Sequence, residues 1–166
     1  MSKRVVIADS SPVFRYGLSQ ILENQKGFQI ASHFESGEEL ERWLNVNEAD
    51  LIIIDCLAPN FSVDNVLACQ RLRPGVKMLA ITSSHSGQSI VHALRAGITS
   101  YVKKDCSMEE VVEAIEETSN GGTFFCGQIL AAIKADSIEV NDLEVANASC
   151  DPVLLTDREI EVLTLI

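Results

Sequence analysis

The sequence predicts an α/β fold built on a doubly wound, five-stranded parallel sheet. Three observations predict it. Five short apolar runs rich in β-branched residues lie between Arg4 and Val102; stretches with amphipathic-helix spacing alternate with them; proline, glycine and serine mark the borders. Strands that alternate with helices are parallel neighbours joined by right-handed crossovers, which wrap both faces of the sheet. In the order 2-1-3-4-5 the winding reverses between the first and third strands, and ligands bind there, outside the carboxyl ends of the strands.

The elements follow in chain order. "RVVIAD" carries the first strand, Arg4 to Ala8, into Asp9. Pro12 opens the first helix, whose Phe14, Leu18, Ile21 and Leu22 fall at i, i+4, i+7 and i+8. The second strand spans Phe28 to Ser32; Ser36, followed by acids, caps a helix with Leu40, Trp43 and Leu44 on one face. "LIIIDCLAP" makes the third strand, Leu51 to Ile54, and stops on Asp55. Val63, Val66 and Leu67 mark a third helix that Pro74-Gly75 closes. Val76 to Ile81 is the fourth strand, Ser89 to Ala96 a fourth helix ending at Gly97, and Ile98 to Val102 the fifth strand. A fifth helix, capped by Ser107, presents Met108, Val111, Val112 and Ile115 before the turn residues "SNGG" at 119 to 122.

The character of the chain changes after residue 120. "CGQILAAIK" reads as a sixth short helix, and residues 135 to 152 hold five acids and no base, the composition of a solvated linker. "LLTDREIEVLTLI" then opens another helix: Thr156 and Glu159 have capping-box spacing and Leu155 and Ile160 can form a hydrophobic staple. Its stripe of Ile160, Leu163 and Ile166 needs a partner that the sequence does not supply. The division expected is therefore a domain over 1–125, a short helix and acidic linker over 126–154, and the first helix of a truncated all-α domain over 155–166.

Composition excludes several classes. With 46% hydrophobic and 22% charged residues over 166 positions, the chain can bury a full core. No stretch approaches the roughly 18 apolar residues of a membrane span, and no secretory signal opens the chain, so a cytoplasmic protein without a membrane partner is expected. The five cysteines are too scattered for zinc and are expected as free thiols; Cys56, next to Asp55 on an alternating strand, is expected to pack away from it. His33, His85 and His92 lack metal-ligand spacing and are expected on the surface or in loops. A net charge of −11 repels nucleic-acid phosphates.

Chemistry is expected at the carboxyl ends of the strands. There stand Asp9 followed by Ser10, then Asp55, Thr82 followed by Ser83, and Lys103-Lys104. Two close carboxylates call for a hard cation such as Mg²⁺, and a lysine and a hydroxyl beside it suit a transferred phosphoryl group. A carboxylate can itself be the nucleophile and form an aspartyl phosphate; Asp55, central and followed by the turn at Ala58-Pro59, is the candidate. A phosphohydrolase working through the same intermediate is disfavoured, since "DCLAP" offers no second acid close after the nucleophile.

Taken together, "VVIADSSPVFRYGL", "LIIIDCLAP", "LAIT", "ALRAGITSYVKKD" and "LLTDREIEVLTLI" resemble a response regulator of the NarL/FixJ type. The likeness is to a CheY-like (flavodoxin-like) receiver domain over roughly residues 3 to 125, followed by a linker and the opening of a LuxR-type helix-turn-helix domain. The resemblance implies that Asp55 is the phosphoacceptor, that Thr82 and Lys104 contact the phosphoryl oxygens, and that Tyr101 swings with Thr82 on activation. It implies Mg²⁺ held by Asp9, Asp55 and the Leu57 backbone carbonyl. A histidine kinase or small phosphodonor is the implied partner, with a homodimer as the working state and DNA contacted only through the rest of the output domain. One position departs from the pattern: Ser10 stands where the family usually has a second metal-binding acid, and Ser11 where this subgroup often has histidine. Ser10 could ligate Mg²⁺ without charge, so weaker metal binding is expected. The alternative is a pseudo-receiver, a dimerisation or binding module independent of phosphorylation.

Overall fold

Strand ends in this protein coincide with the places where an apolar run meets polar residues. In the computed structural model, which describes residues 1–83 and 86–136, β1 (Lys3–Ala8) stops before Asp9 and β3 (Leu51–Ile54) before Asp55. β2 (Phe28–Phe34), β4 (Lys77–Thr82) and β5 (Ser100–Lys103) complete one sheet, all parallel, in the order β2-β1-β3-β4-β5. The expected sheet and order are those observed. The apolar stretches of β1, β3 and β4 are wholly buried, while edge strand β2 alternates half-buried and exposed residues, as a strand covered on one face does.

The helices are α1 (Pro12–Glu23), α2 (Gly37–Leu44), α3 (Val63–Leu72), α4 (Gly87–Ala96), α5 (Met108–Ser119) and α6 (Gly127–Ala135). Serine side chains start four of them: Ser11 accepts from Phe14 N, Ser36 from Glu39 N, Ser86 from Ser89 N and Ser107 from Glu110 N. Glu110 reciprocates to Ser107 N at 3.0 Å, a complete capping box. Several boundaries differ from the sequence reading: β1 starts one residue earlier, β2 runs on to Phe34, β4 is displaced by one residue, and α4 and β5 start elsewhere. Helix α4 begins at Gly87, two residues early, because Ser86 rather than Ser89 caps it. Strand β5 begins at Ser100, and Thr99 just before it already docks on β4, its N–H and its hydroxyl both donating to the Met78 carbonyl at 2.9 and 2.8 Å.

Beyond α5 the chain turns through Asn120 and Gly121 (φ 92°) and returns to the sheet, where Phe124, Phe125 and Cys126 are buried. Helix α6 then lies against α4 and β5 and buries Ile129 and Ile133. Cys56, Cys69, Cys106 and Cys126 are free thiols, and Cys56 is fully buried. The expected acidic linker from residue 137 onward, the helix over 155–166, His85 and Cys150 lie outside the described residues.

Candidate functional site

Three rungs of the sheet continue one step past the strand ends, and each fixes a residue of the site. Asp9 N–H donates to the Phe34 carbonyl (3.1 Å), Asp55 N–H to the Ala8 carbonyl (2.9 Å) and Lys104 N–H to the Thr82 carbonyl (2.8 Å). The stagger of neighbouring parallel strands thus sets Asp9, Asp55 and Lys104 at one edge.

Both aspartates are oriented in the same way. Asp9 Oδ1 accepts from Ser11 N at 2.7 Å and Asp55 Oδ1 from Leu57 N at 3.1 Å, each a turn closed by the side chain on the backbone two residues later. The second oxygens face a common cation: Lys104 Nζ lies 2.6 Å from Asp9 Oδ2 and 2.8 Å from Asp55 Oδ2. Asp9 and Asp55 are only 2% and 4% exposed, so the two ion pairs sit in a largely dry crevice. Asp9 Oδ2 is buried, and Lys104 is the charged partner that meets it there. Desolvation is the largest single influence on Lys104 and works against its charge, but hydrogen bonding and attraction from Asp55 and Asp9 outweigh it and raise its pKa.

Thr82 is fully buried at the end of β4. Its Oγ1 donates to the Ser83 carbonyl (3.1 Å) and shares a hydrogen bond with the Tyr101 hydroxyl (3.1 Å). Tyr101, on β5, is itself without exposure; burial pushes its hydroxyl pKa up, the Thr82 hydrogen bond offsets part of this, and the charges of Cys56 and Asp55 add to it. Burial likewise pushes the Cys56 thiol up to about 12, which marks it as a packing residue. Ser10 is half-buried beside Asp9, Leu57 half-buried after Asp55. Of the two adjacent lysines only Lys104 reaches the carboxylates; Lys103 Nζ donates to Gln128 Oε1 at 2.7 Å and pairs with Asp105 at 3.6 Å. His33 and His92 are exposed.

Sequence reasoning missed two residues of the site. The Lys104 ammonium lies over the ring of Phe14, Nζ 4.5 Å from the centroid, a cation–π contact that adds to its two ion pairs. Arg15 donates to the Asp9 carbonyl and pairs with Glu35, clamping the turn that carries Asp9. The "FR" after Pro12 was the available signal, since the first turn of α1 starts three residues beyond Asp9.

These are hard oxygen donors, and the second oxygens of both acids already face a cation, the Lys104 ammonium, so Asp9, Asp55 and the Leu57 carbonyl fit Mg²⁺ by donor chemistry. The set holds two carboxylates; among the described residues no cluster of three or more His, Cys, Asp or Glu side chains suited to a metal gathers.

Comparison with known proteins agrees with the fold. The profile of the response regulator receiver domain matches residues 5–116. Response regulator protein VraR of Staphylococcus aureus is 28% identical over 169 residues, covering all of this chain and 76% of VraR. Among solved structures, a LuxR-family two-component response regulator from Aurantimonas sp. SI85-9A1 superposes with a TM-score of 0.75 at 20% identity, over 84% of this chain and 100% of that one. The RcsB response regulator of Salmonella typhimurium gives 0.75 at 19% identity, over 82% and 67%. RcsB is also known as two dimers bound to two parallel DNAs. The chain belongs to the response regulator receiver domain family.

Proposed function

We propose that Asp55 is the phosphoacceptor of this receiver, taking a phosphoryl group from a histidine kinase or a small phosphodonor in the cytoplasm. The observation that carries the reading is the convergence of Asp9 and Asp55 on Lys104, whose Nζ lies 2.6 and 2.8 Å from their carboxylates in a crevice at the carboxyl edge of the sheet. A carboxylate oxygen of Asp55 attacks phosphorus; the bond from phosphorus to the donor atom breaks, its electron pair leaves with the donor, and an aspartyl phosphate results. Mg²⁺, when held by Asp9, Asp55 and the Leu57 carbonyl, supplies positive charge against the phosphoryl oxygens. Lys104 gives the same help from the protein side: its ammonium already neighbours the Asp55 oxygen and can follow the negative charge to the new group. The Thr82 hydroxyl offers a hydrogen bond to that group, and Tyr101, bonded to Thr82, responds as the switch.

On this reading the receiver, over 1–125 and followed by the short helix α6, acts as a homodimer that controls DNA contacts made by residues beyond it. Incubation with acetyl phosphate and Mg²⁺, followed by mass spectrometry, tests the core of the proposal. A phosphoryl adduct is expected in the natural chain and absent from Asp55→Ala; no adduct at any Mg²⁺ concentration defeats it.

Ser10 favours a second reading, the phosphorylation-independent pseudo-receiver. With Lys104 opposing only two carboxylates, the crevice carries less negative charge toward a metal than three acids would provide. Ser10→Asp is expected to tighten Mg²⁺ binding on the order of tenfold through the added ligand charge, read by calorimetry. If only that variant binds Mg²⁺ and takes the label, the second reading replaces the first.

A further inference from the structure

Serine stands at the N-cap of helices α1 to α5, as Ser11, Ser36, Ser62, Ser86 and Ser107. Helix α6 departs from this: its N-cap is Cys126, whose side chain makes no capping hydrogen bond. Sulfur is a weak acceptor for a backbone N–H, so capping does not explain a cysteine here. Its thiol engages another one instead. The Cys106 and Cys126 thiols are hydrogen-bonded to each other.

The backbone brings the two together along the outer edge of β5. Tyr101 N–H donates to the Phe124 carbonyl at 2.8 Å and Cys126 N–H to the Tyr101 carbonyl at 3.4 Å, so residues 124–126 run parallel to the strand, with Phe125 bridged to Tyr101. Cys106 returns to that edge through a turn, its N–H donating to the Lys103 carbonyl at 3.1 Å. Lys103 Nζ donates to Gln128 Oε1 at 2.7 Å, which ties the end of β5 to the first turn of α6. Cys126 is 1% exposed, whereas Cys106 is half-buried and packs on the rim of the core. One member of the pair is thus open in part to solvent, and the other is enclosed behind it.

We propose that Cys106 and Cys126 form a reversible disulfide, a redox staple between the turn after β5 and the start of α6, made by exchange with a low-molecular-weight disulfide such as oxidised glutathione. The half-buried Cys106 reacts first. It gives up its proton, its sulfur attacks one sulfur of the small disulfide, that S–S bond breaks, and one small thiolate leaves with the electron pair. Cys126 then gives up its proton and attacks the Cys106 sulfur, expelling the second small thiolate. Two protein thiols are oxidised to a disulfide, the small disulfide is reduced to two thiols, and the two protons end on the departing sulfurs. Because Cys126 is already in contact, the second step is intramolecular and the mixed disulfide does not accumulate. Burial above all, then the Cys126 sulfur and the charge of Glu110, pushes the Cys106 thiol up to about 12, so the first step is slow at neutral pH and the pair answers sustained oxidation, not a brief pulse.

The full chain is incubated overnight with millimolar oxidised glutathione, and peptide mass mapping without reduction locates every bond formed. A Cys106–Cys126 link that dithiothreitol reverses is expected, while Cys56 and Cys69, both 0% exposed, stay reduced. The oxidised chain is expected to melt about 5–10 °C higher, because the link closes residues 107–125 into a loop in the unfolded chain. Cys106→Ala, at the half-buried position, is expected to keep the fold and lose both the link and the rise in Tm. Cys126→Ser, which restores the cap residue of the other helices, is expected to lose the link as well; should it fail to fold, Cys106→Ala carries the comparison. A glutathione adduct that stays on Cys106 with Cys126 still reduced, a link from either cysteine to Cys56, Cys69 or Cys150, a Tm that falls or does not change on closure, or no oxidised product at all overturns the staple.

Discussion

Taking the ammonium from Lys104 would leave Asp9 and Asp55, two nearly unexposed carboxylates, facing each other across the crevice. Lys104→Met is therefore expected to destabilise the fold by about 1–3 kcal/mol at neutral pH in urea unfolding, less than the about 3–5 of a wholly enclosed pair because Lys104 is partly exposed. Millimolar Mg²⁺ is expected to restore part of that loss. The sign of the pH effect follows from the raised pKa of Lys104: its contribution is complete below the ordinary lysine value of 10.5 and is lost as pH rises through the higher folded value, so an alkaline limb of unfolding is expected that the methionine variant lacks. The acids and Lys104 were legible in the sequence because each apolar run ends where its strand must end. Phe14 was not. A 3.6-residue period counts it among the core positions of α1, and only the packed structure reveals that its ring is turned toward the ammonium.

Elements were legible where caps are chemically distinct and less so where glycine intervenes. Ser36 and Ser107 announced α2 and α5, whereas the start of α4 was obscured because Gly87 and Gln88 interrupt the apolar pattern between the true cap, Ser86, and Ile90. Glycine is required at the other end of that helix. Gly97 has φ 124°, and a Cβ there would lie 2.6 Å from Gln70 Cγ, whose amide donates to the carbonyls of Gly97 and Val76. Gly97→Ala is expected to cost about 1–2 kcal/mol from backbone strain alone, measured by denaturant unfolding, because it forces an L side chain into left-handed backbone space. Helix α6 was readable as a helix, but its seat on α4 was not, since a single apolar stripe does not say which neighbour it meets.

At the scale of the molecule, alternation of strand and helix carried the parallel, doubly wound sheet, because right-handed crossovers leave few alternatives, while the order of its strands came with the family resemblance. The site is a product of that topology more than of any local motif. Its three residues sit on rungs added beyond the strand ends, through the amides of Asp9, Asp55 and Lys104. Deuterium labelling of the native chain would expose what this implies. Those amide protons are expected to exchange with solvent nearly as slowly as the central strands do, orders of magnitude more slowly than amides at a fraying strand tip. The crevice then has no private route to melting: it persists as long as the sheet does and is lost in the same event.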